Sequence, residues 1–145
     1  MIGNLRGLRP SLGTGGTLMG SMRVSAAGLT VERFRMDTVS VNLANANSMA
    51  IGGQPAYRRR DVVVAGNVDG PRIIAVVEDG RPERRVHEPG SPYADADGYV
   101  TYSNVEPIFE MVNMIGASRA YEANLAAFNT ARTMVRSALN IGKSA

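Results

Sequence analysis

The sequence of 145 residues has no cysteine, no tryptophan and a single histidine. Without thiols the chain can form neither a disulfide framework nor a thiolate metal site, and one histidine is too few for the common zinc sites. No apolar run approaches the roughly 20 residues of a membrane span, and the N-terminus lacks the apolar segment of a cleaved secretory signal. Aromatic residues make up only 6% of the chain, so a dense aromatic core is not expected.

Catalytic and ligand-binding motifs are also missing. No nucleophile, base and orienting group recur at a recognisable spacing. The Gly-rich run at 13–17 lacks the Gly-Lys-Ser/Thr of a phosphate loop, and Asp95–Gly98 lacks most ligands of a calcium loop. We interpret Asp95–Gly98 as a polar turn before a strand. We expect no enzyme activity, no catalytic residue, no metal, no cofactor and no small-molecule substrate.

The net charge of +3 does not indicate a nucleic-acid partner. Arg6, Arg9 and Arg23 meet no acid before Glu32, so the excess lies near the N-terminus and outside any folded basic surface. The arginines at 58–60 and 84–85 are offset by neighbouring acids. They predict a solvated, salt-bridged face.

The C-terminal stretch from Val105 to Ala145 is typical of one long amphipathic helix. One apolar series recurs every seven residues at Met114, Tyr121, Phe128 and Val135. A second series, three or four places away, comprises Met111, Ser118, Leu125, Arg132 and Leu139. Together they predict a coiled-coil seam, imperfect at the polar positions, which needs a partner helix. Asn104 is the predicted N-cap of this helix.

A second helical period from Met19 to about Asn47 supplies the partner. Met22, Leu29, Met36 and Leu43 are each seven residues apart, with Ala26, Val39 and Ala46 on nearly the same face. The run Ser25–Gly28 is small enough for close backbone approach. The polar run Asn42, Asn45, Asn47 and Ser48 is interpreted as a fraying helix end bonded to local backbone. The alternative is a set of amides that join neighbouring helices.

The middle of the chain favours strands. β-branched and aromatic runs at 57–65, 72–78, 84–87 and 98–102 are separated by Gly, Asn, Asp and Pro turn signals. The predicted fold class is therefore α+β: long N- and C-terminal helices form a coiled-coil-like pair, with a small antiparallel β-module inserted between them. The predicted segments are a flexible N-terminal extension (1–20), the N-terminal helix (21–50), the β-rich module (51–104) and the C-terminal helix (105–145).

Several motifs carry a family resemblance. They are Asn42-Leu-Ala-Asn-Ala-Asn47, Asp95-Ala-Asp-Gly-Tyr-Val100 and, above all, Glu110-Met-Val-Asn-Met-Ile-Gly-Ala-Ser-Arg-Ala-Tyr-Glu-Ala-Asn124. On these motifs the chain resembles the bacterial flagellar basal-body rod proteins over roughly Met22 to Lys143. Members of that family usually start only a few residues before their first motifs. The Gly-rich first twenty residues are therefore either an extension or the product of a misassigned start codon.

The resemblance implies a structural subunit of the proximal rod, stacked in a helical array in the periplasm. Implied partners are copies of itself, other flagellar rod proteins and the flagellar type III export apparatus, with the membrane-ring junction as a further candidate. Export would occur without a cleaved signal peptide. The seams and motifs assign these residues to the assembly helices: Met22, Leu29, Met36, Asn42, Leu43, Asn45, Met111, Met114, Ser118, Arg119, Tyr121, Glu122, Asn124, Leu125, Phe128, Val135 and Leu139.

The residues alone also allow a function of another class. The chain would then be a soluble coiled-coil binding module whose β-insert recognises a protein or nucleic acid. Salt-dependent nucleic-acid binding would favour that alternative, and presence in purified hook-basal bodies would favour the rod.

Overall fold

The computed structural model describes residues 18–143 and contains two long helices separated by four strands. The elements are α1 Leu18–Ala44, β1 Arg60–Asn67, β2 Gly70–Glu78, β3 Arg84–His87, β4 Tyr99–Tyr102 and α2 Pro107–Lys143. The predicted α+β class is confirmed. The predicted flexible extension falls mostly on residues 1–17, which lie outside the described residues. Neither helix within the described range is long and apolar enough to cross a membrane.

The strands form two separate antiparallel pairs. β1 pairs with β2, with a register shift between Val63 and Val64, and β3 pairs with β4. Gly70 ends the β1–β2 turn with φ of 112°, a conformation that favours glycine. A Cβ there would lie 2.9 Å from the Ala27 Cβ and 3.0 Å from the Val24 Cα. Glycine therefore lets the turn of this hairpin pack directly on the backbone of α1.

The segment that follows α1 ties the start of the module to its end. Gly52 and Gly53 both have positive φ, and they form a tight turn closed by two backbone hydrogen bonds between Ile51 and Gln54. Just before this turn, Ser48 and Ala50 exchange backbone hydrogen bonds of 2.9 Å with the β4 region. As a result, the C-terminal end of α1 and the N-terminal end of α2 are held side by side.

The N-cap prediction for Asn104 is wrong. Helix α2 begins at Pro107, whose missing N–H is harmless at the first helical position, so Glu106 is the capping residue. The Asn104 side chain instead accepts a hydrogen bond from the Arg59 N–H at 2.7 Å and donates to the Asp79 carbonyl at 3.3 Å. Its amide joins the start of β1 to the end of β2.

The core is small and partly polar. Its apolar members are valines and alanines, with Val100 fully buried and Val105 at 5% exposure. The largest side chains with under 2% exposure include Glu110 and Asn42. Few large apolar side chains are therefore buried, as the low aromatic content predicts. Buried polar side chains that form hydrogen bonds occupy the positions that large apolar groups take in other proteins.

Candidate assembly interface

The side of α2 that faces α1 confirms one of the two predicted series and corrects the other. Met114, Tyr121, Phe128 and Val135 are all half-buried, as expected for seam positions. The residues that alternate with them are small or polar, not the predicted apolar series. They are Glu110, Ala117, Asn124 and Ala131, of which all but the half-buried Asn124 are buried.

The second predicted series therefore lies largely outside the seam. Met111, Leu125 and Leu139 are 54%, 41% and 61% exposed, Arg132 is exposed, and Ser118 is half-buried. Sequence periodicity allowed the second position to be three or four residues from the first, and apolar character favoured the wrong choice. The observed second position carries the small residues Ala117 and Ala131, and at Asn124 the two helices approach closely.

That close approach centres on Gly28, which is buried in α1. A Cβ on Gly28 would lie 2.7 Å from the side-chain nitrogen and oxygen of Asn124. The predicted close approach is confirmed at Gly28, because the absence of a side chain makes room for the Asn124 amide, whereas Ala26 of the same run is exposed.

The predicted seam of α1 is less deeply buried than its neighbours. Met22, Leu29, Met36 and Leu43 are all half-buried. The buried positions of this helix include Val31, Val39 and Asn42, since the helix contacts both α2 and the β1–β2 hairpin. Two faces of α1 are thus occupied.

Asn42 is fully buried and makes four hydrogen bonds. Its Nδ2 donates to the Glu110 Oε2 and to the Arg60 carbonyl, both at 2.8 Å. Its Oδ1 accepts from the Tyr57 hydroxyl at 2.8 Å and from the Arg60 N–H at 3.0 Å. The interpretation of this residue as part of a fraying end is wrong. It joins α1, α2 and the β-module, whereas Asn45 does bond its local backbone, at the Val41 carbonyl.

Glu110 is the second centre of this polar junction. Its side chain is 1% exposed, and its Oε1 accepts from the Arg59 Nε at 2.8 Å and from the Asn113 Nδ2 at 3.1 Å. The Arg59 guanidinium also lies 3.4 Å from Asp61 and 3.5 Å from Asp79. Burial is the largest single influence and opposes the charge on Arg59, but the hydrogen bonds and charges of Glu110 and Asp61 together outweigh it and raise the pKa of the guanidinium. We name Asn42, Tyr57, Arg59 and Glu110 the polar junction.

Two of the three consecutive arginines at 58–60 form the solvated, salt-bridged face that the sequence predicts. Arg58 pairs with Glu83 at 3.2 Å and Arg60 with Glu78 at 3.8 Å, in partly exposed ion pairs. Arg59 is the exception, because its side chain is only 13% exposed. Sequence reasoning missed it because three consecutive arginines look alike, and only the contacts with Glu110 and Asp79 show that the middle one turns inward.

The Asp95 loop is the polar turn that the sequence predicts. The Asp95 carboxylate accepts from the backbone N–H groups of Asp97 at 3.0 Å and Tyr99 at 2.8 Å. The hydrogen bond from Tyr99 is the main cause of a lowered pKa for this carboxyl, and an ion pair with Arg85 adds to it. Within residues 18–143, no group of three or more acidic or histidine side chains is placed to hold a metal ion.

The outward side of α2 carries apolar residues that no other part of residues 18–143 covers. Ile108, Met111, Val112 and Ile115 follow the i, i+3, i+4, i+7 spacing and are 76%, 54%, 61% and 54% exposed. At 100° per residue they lie on the side of the helix opposite Glu110, Met114 and Ala117. We name these four residues the outer stripe. Arg119 and Glu122 are also exposed.

Comparison with known proteins identifies what kind of chain builds this surface. The family model described as "Flagellar basal body rod FlgEFG protein C-terminal" matches residues 96–141. The flagellar basal-body rod protein FlgC of Escherichia coli O6:H1 is 38% identical over 133 residues, which cover 87% of this chain and 98% of that protein. The chain belongs to the FlgC family of flagellar basal-body rod proteins. The FlgC proteins of Bacillus subtilis and Borreliella burgdorferi are 36% and 34% identical, over 88% and 86% of this chain and 99% and 97% of their own.

Family membership establishes the function at the level of class. The chain is a structural subunit of the flagellar basal-body rod, and the expected family resemblance is confirmed. The matched relatives are rod proteins and not enzymes. No comparison favours the alternative of a free coiled-coil binding module.

Proposed function

We propose that this chain polymerises in the proximal part of the rod, the periplasmic drive shaft of the flagellum. In this proposal α1 and α2 form the rod core, and the segment between them is an insert braced against that core. Its partners are copies of itself and other rod proteins, with the membrane-ring junction as a further candidate neighbour. The assembly residues assigned from the sequence remain part of this proposal.

The observation that carries the proposal is the outer stripe. Four adjacent apolar side chains, each more than half exposed, are unusual on a protein that works as a monomer. Exposed Leu125 and Leu139 continue apolar character toward the C-terminal end of the same helix. In this proposal the outer stripe contacts a different surface of the neighbouring copy. Such a contact, between two unlike surfaces, is heterologous. Contacts of that kind extend into open helical stacks.

The experiment places a charge in the outer stripe. Ile115→Glu should leave the fold intact, because the side chain is 54% exposed, but it should block rod assembly. The assay is motility complementation in a strain without the native subunit, with the subunit content of purified hook-basal bodies measured alongside. Ala96→Glu is the matched control, since it adds the same charge at an exposed position in the Asp95 loop. Normal swimming by Ile115→Glu would contradict the assembly role of the stripe.

Export forms a separate part of the proposal. We expect the subunit to leave the cytoplasm through the flagellar type III apparatus with its N-terminus uncleaved. Mass spectrometry of the exported subunit tests cleavage, and a strain with an inactive export gate tests the route. Export that persists in that strain, or a shortened N-terminus, would contradict this part and leave the assembly proposal standing.

A further inference from the structure

The helix pair is pinned at two layers that have the same spacing on both helices. Asn42 contacts Glu110 through a 2.8 Å hydrogen bond, and Gly28 faces the Asn124 amide. The step from Asn42 back to Gly28 is fourteen residues, and the step from Glu110 forward to Asn124 is also fourteen. The helices are therefore antiparallel, and the two contacts are two heptads apart.

The rest of the α2 seam distinguishes poorly between alternative registers. Met114, Tyr121 and Phe128 recur every seven residues, and the buried Ala117 and Ala131, three residues after Met114 and Phe128, are fourteen residues apart. A slip of seven residues would replace each large side chain by another large one. It would move α2 along α1 by about 10 Å at 1.5 Å per residue. Apolar burial alone thus leaves registers one heptad apart close in free energy.

The backbone hydrogen bonds of Ser48 and Ala50 with the β4 region align the end of α1 with the start of α2. We propose that the Asn42–Glu110 and Gly28–Asn124 layers determine the register along the helices beyond those ends. In the observed register Asn124 faces a residue without a side chain. A slip of one heptad would place it opposite Arg35 in one direction and Ser21 in the other, and both carry a Cβ where the amide now lies. Either slip also separates Glu110 from Asn42, which leaves buried polar groups without their present partners.

The register matters for the rod, so the inference rests on the proposed function. An open stack requires every copy to present the outer stripe at the same height relative to α1. A slipped subunit would present it about 10 Å away. Buried polar groups at seam positions are known devices for fixing coiled-coil register.

The absence of native cysteine allows the register to be read by cross-linking in the full chain. The observed register places Thr38 opposite Met114, because they lie four residues from Asn42 and Glu110 respectively. The native reporter is Thr38→Cys with Met114→Cys. The slipped reporters combine Thr38→Cys with Tyr121→Cys or with Pro107→Cys, one for each direction. A short bis-maleimide should join the native pair only.

Removal of both polar layers should change the set of cross-linked products. In a Glu110→Leu, Asn124→Ala background, we expect the slipped products to rise about tenfold or more, the change that roughly 1.4 kcal/mol produces in an equilibrium. Asn129→Ala on the exposed side of α2 is the matched control and should give the native product alone. Gly28→Asn with Asn124→Gly moves the amide to the other helix and should restore the native pattern.

Slipped products that stay at the control level in the folded double variant would overturn the proposal. Circular dichroism reports whether that variant folds. If it does not fold, the single variants Glu110→Leu and Asn124→Ala replace it, and the absence of slipped products from both would equally overturn the proposal. The cross-links are read on the isolated chain, so failure here leaves the rod proposal untouched. Loss of assembly by Ile115→Glu does not bear on the register.

Discussion

Replacement of Glu110 by glutamine tests whether the polar junction stabilises the fold through charge and hydrogen-bond direction. The substitution preserves size but removes the negative charge that faces Arg59. It also replaces one carboxylate oxygen by an NH₂ group. In either amide orientation this group points at a donor, which is the Asn42 Nδ2 or the Arg59 Nε. Glu110→Gln therefore leaves a buried donor pair in contact.

The expected loss follows from the burial of the group. Glu110 is 1% exposed and Arg59 is 13% exposed, so solvent can compensate little. Loss of a charged hydrogen bond together with an unpaired buried donor should lower the free energy of unfolding by about 2–4 kcal/mol. Glu106→Gln is the matched control four residues earlier. Its ion pair with Arg81 is about half exposed on both sides, so a loss of roughly 0–1 kcal/mol is expected.

Urea unfolding of the purified chain, followed by circular dichroism, measures both variants. A lower midpoint at unchanged slope reports a change in stability alone. A double-mutant cycle with Asn42→Ala isolates the contact between the two side chains, and we expect a coupling energy of about 1 kcal/mol or more. Equal midpoints for Glu110→Gln and Glu106→Gln would refute the reasoning, because the junction would then contribute no more than a surface ion pair.

Two further predictions concern the residues of the seam and the loss of stability at low pH. Leu125→Ala should lower the urea midpoint less than Phe128→Ala, because Leu125 is 41% exposed while Phe128 is half-buried, and the reverse order would return the second predicted series, which contains Leu125, to the seam. The hydrogen bond from Arg81 lowers the pKa of Asp79, so the stabilisation by this carboxylate is complete above about pH 4 and lost as pH falls through its lower folded value. Asp79→Asn should flatten stability over that acid range, and an unchanged slope would exclude the contribution.

Local sequence signals predicted the elements well. The glycines at 52, 53 and 70 mark turns that only positive φ can form, and β3 falls on the predicted run at 84–87. The strength of these signals is that they depend on few neighbours. Which residues of α2 face α1 depends on the partner helix as well, and the decisive residue there is Gly28. A residue without a side chain gives no periodic signal, although it decides that Asn124 and not a larger group can occupy the facing position.

The polar junction was the least predictable feature for a related reason. Asn42 and Glu110 are 68 positions apart in the chain, and each has an ordinary local explanation. An asparagine near a helix end commonly caps or bonds its own backbone, and a glutamate near a helix start complements the dipole. The heptad pattern of α2 could have revealed that Glu110 is buried. Glu110 lies four residues before Met114 and seven before Ala117, at a seam position that alternates with the large side chains, where a solvated glutamate would be out of place.

The distribution of polar and apolar groups explains how such a chain can be both a separate subunit and a building block. Large apolar side chains of the outer stripe stay exposed, while Asn42 and Glu110 occupy the interior. Hydrogen bonds are directional, so the junction fixes how α1, α2 and the insert are joined without a thick apolar core. The apolar surface that such a core would consume remains available for neighbouring subunits. In the proposed assembly, burial of that surface would add stability at the step where the rod forms, because binding that favours the folded state shifts the folding equilibrium toward it.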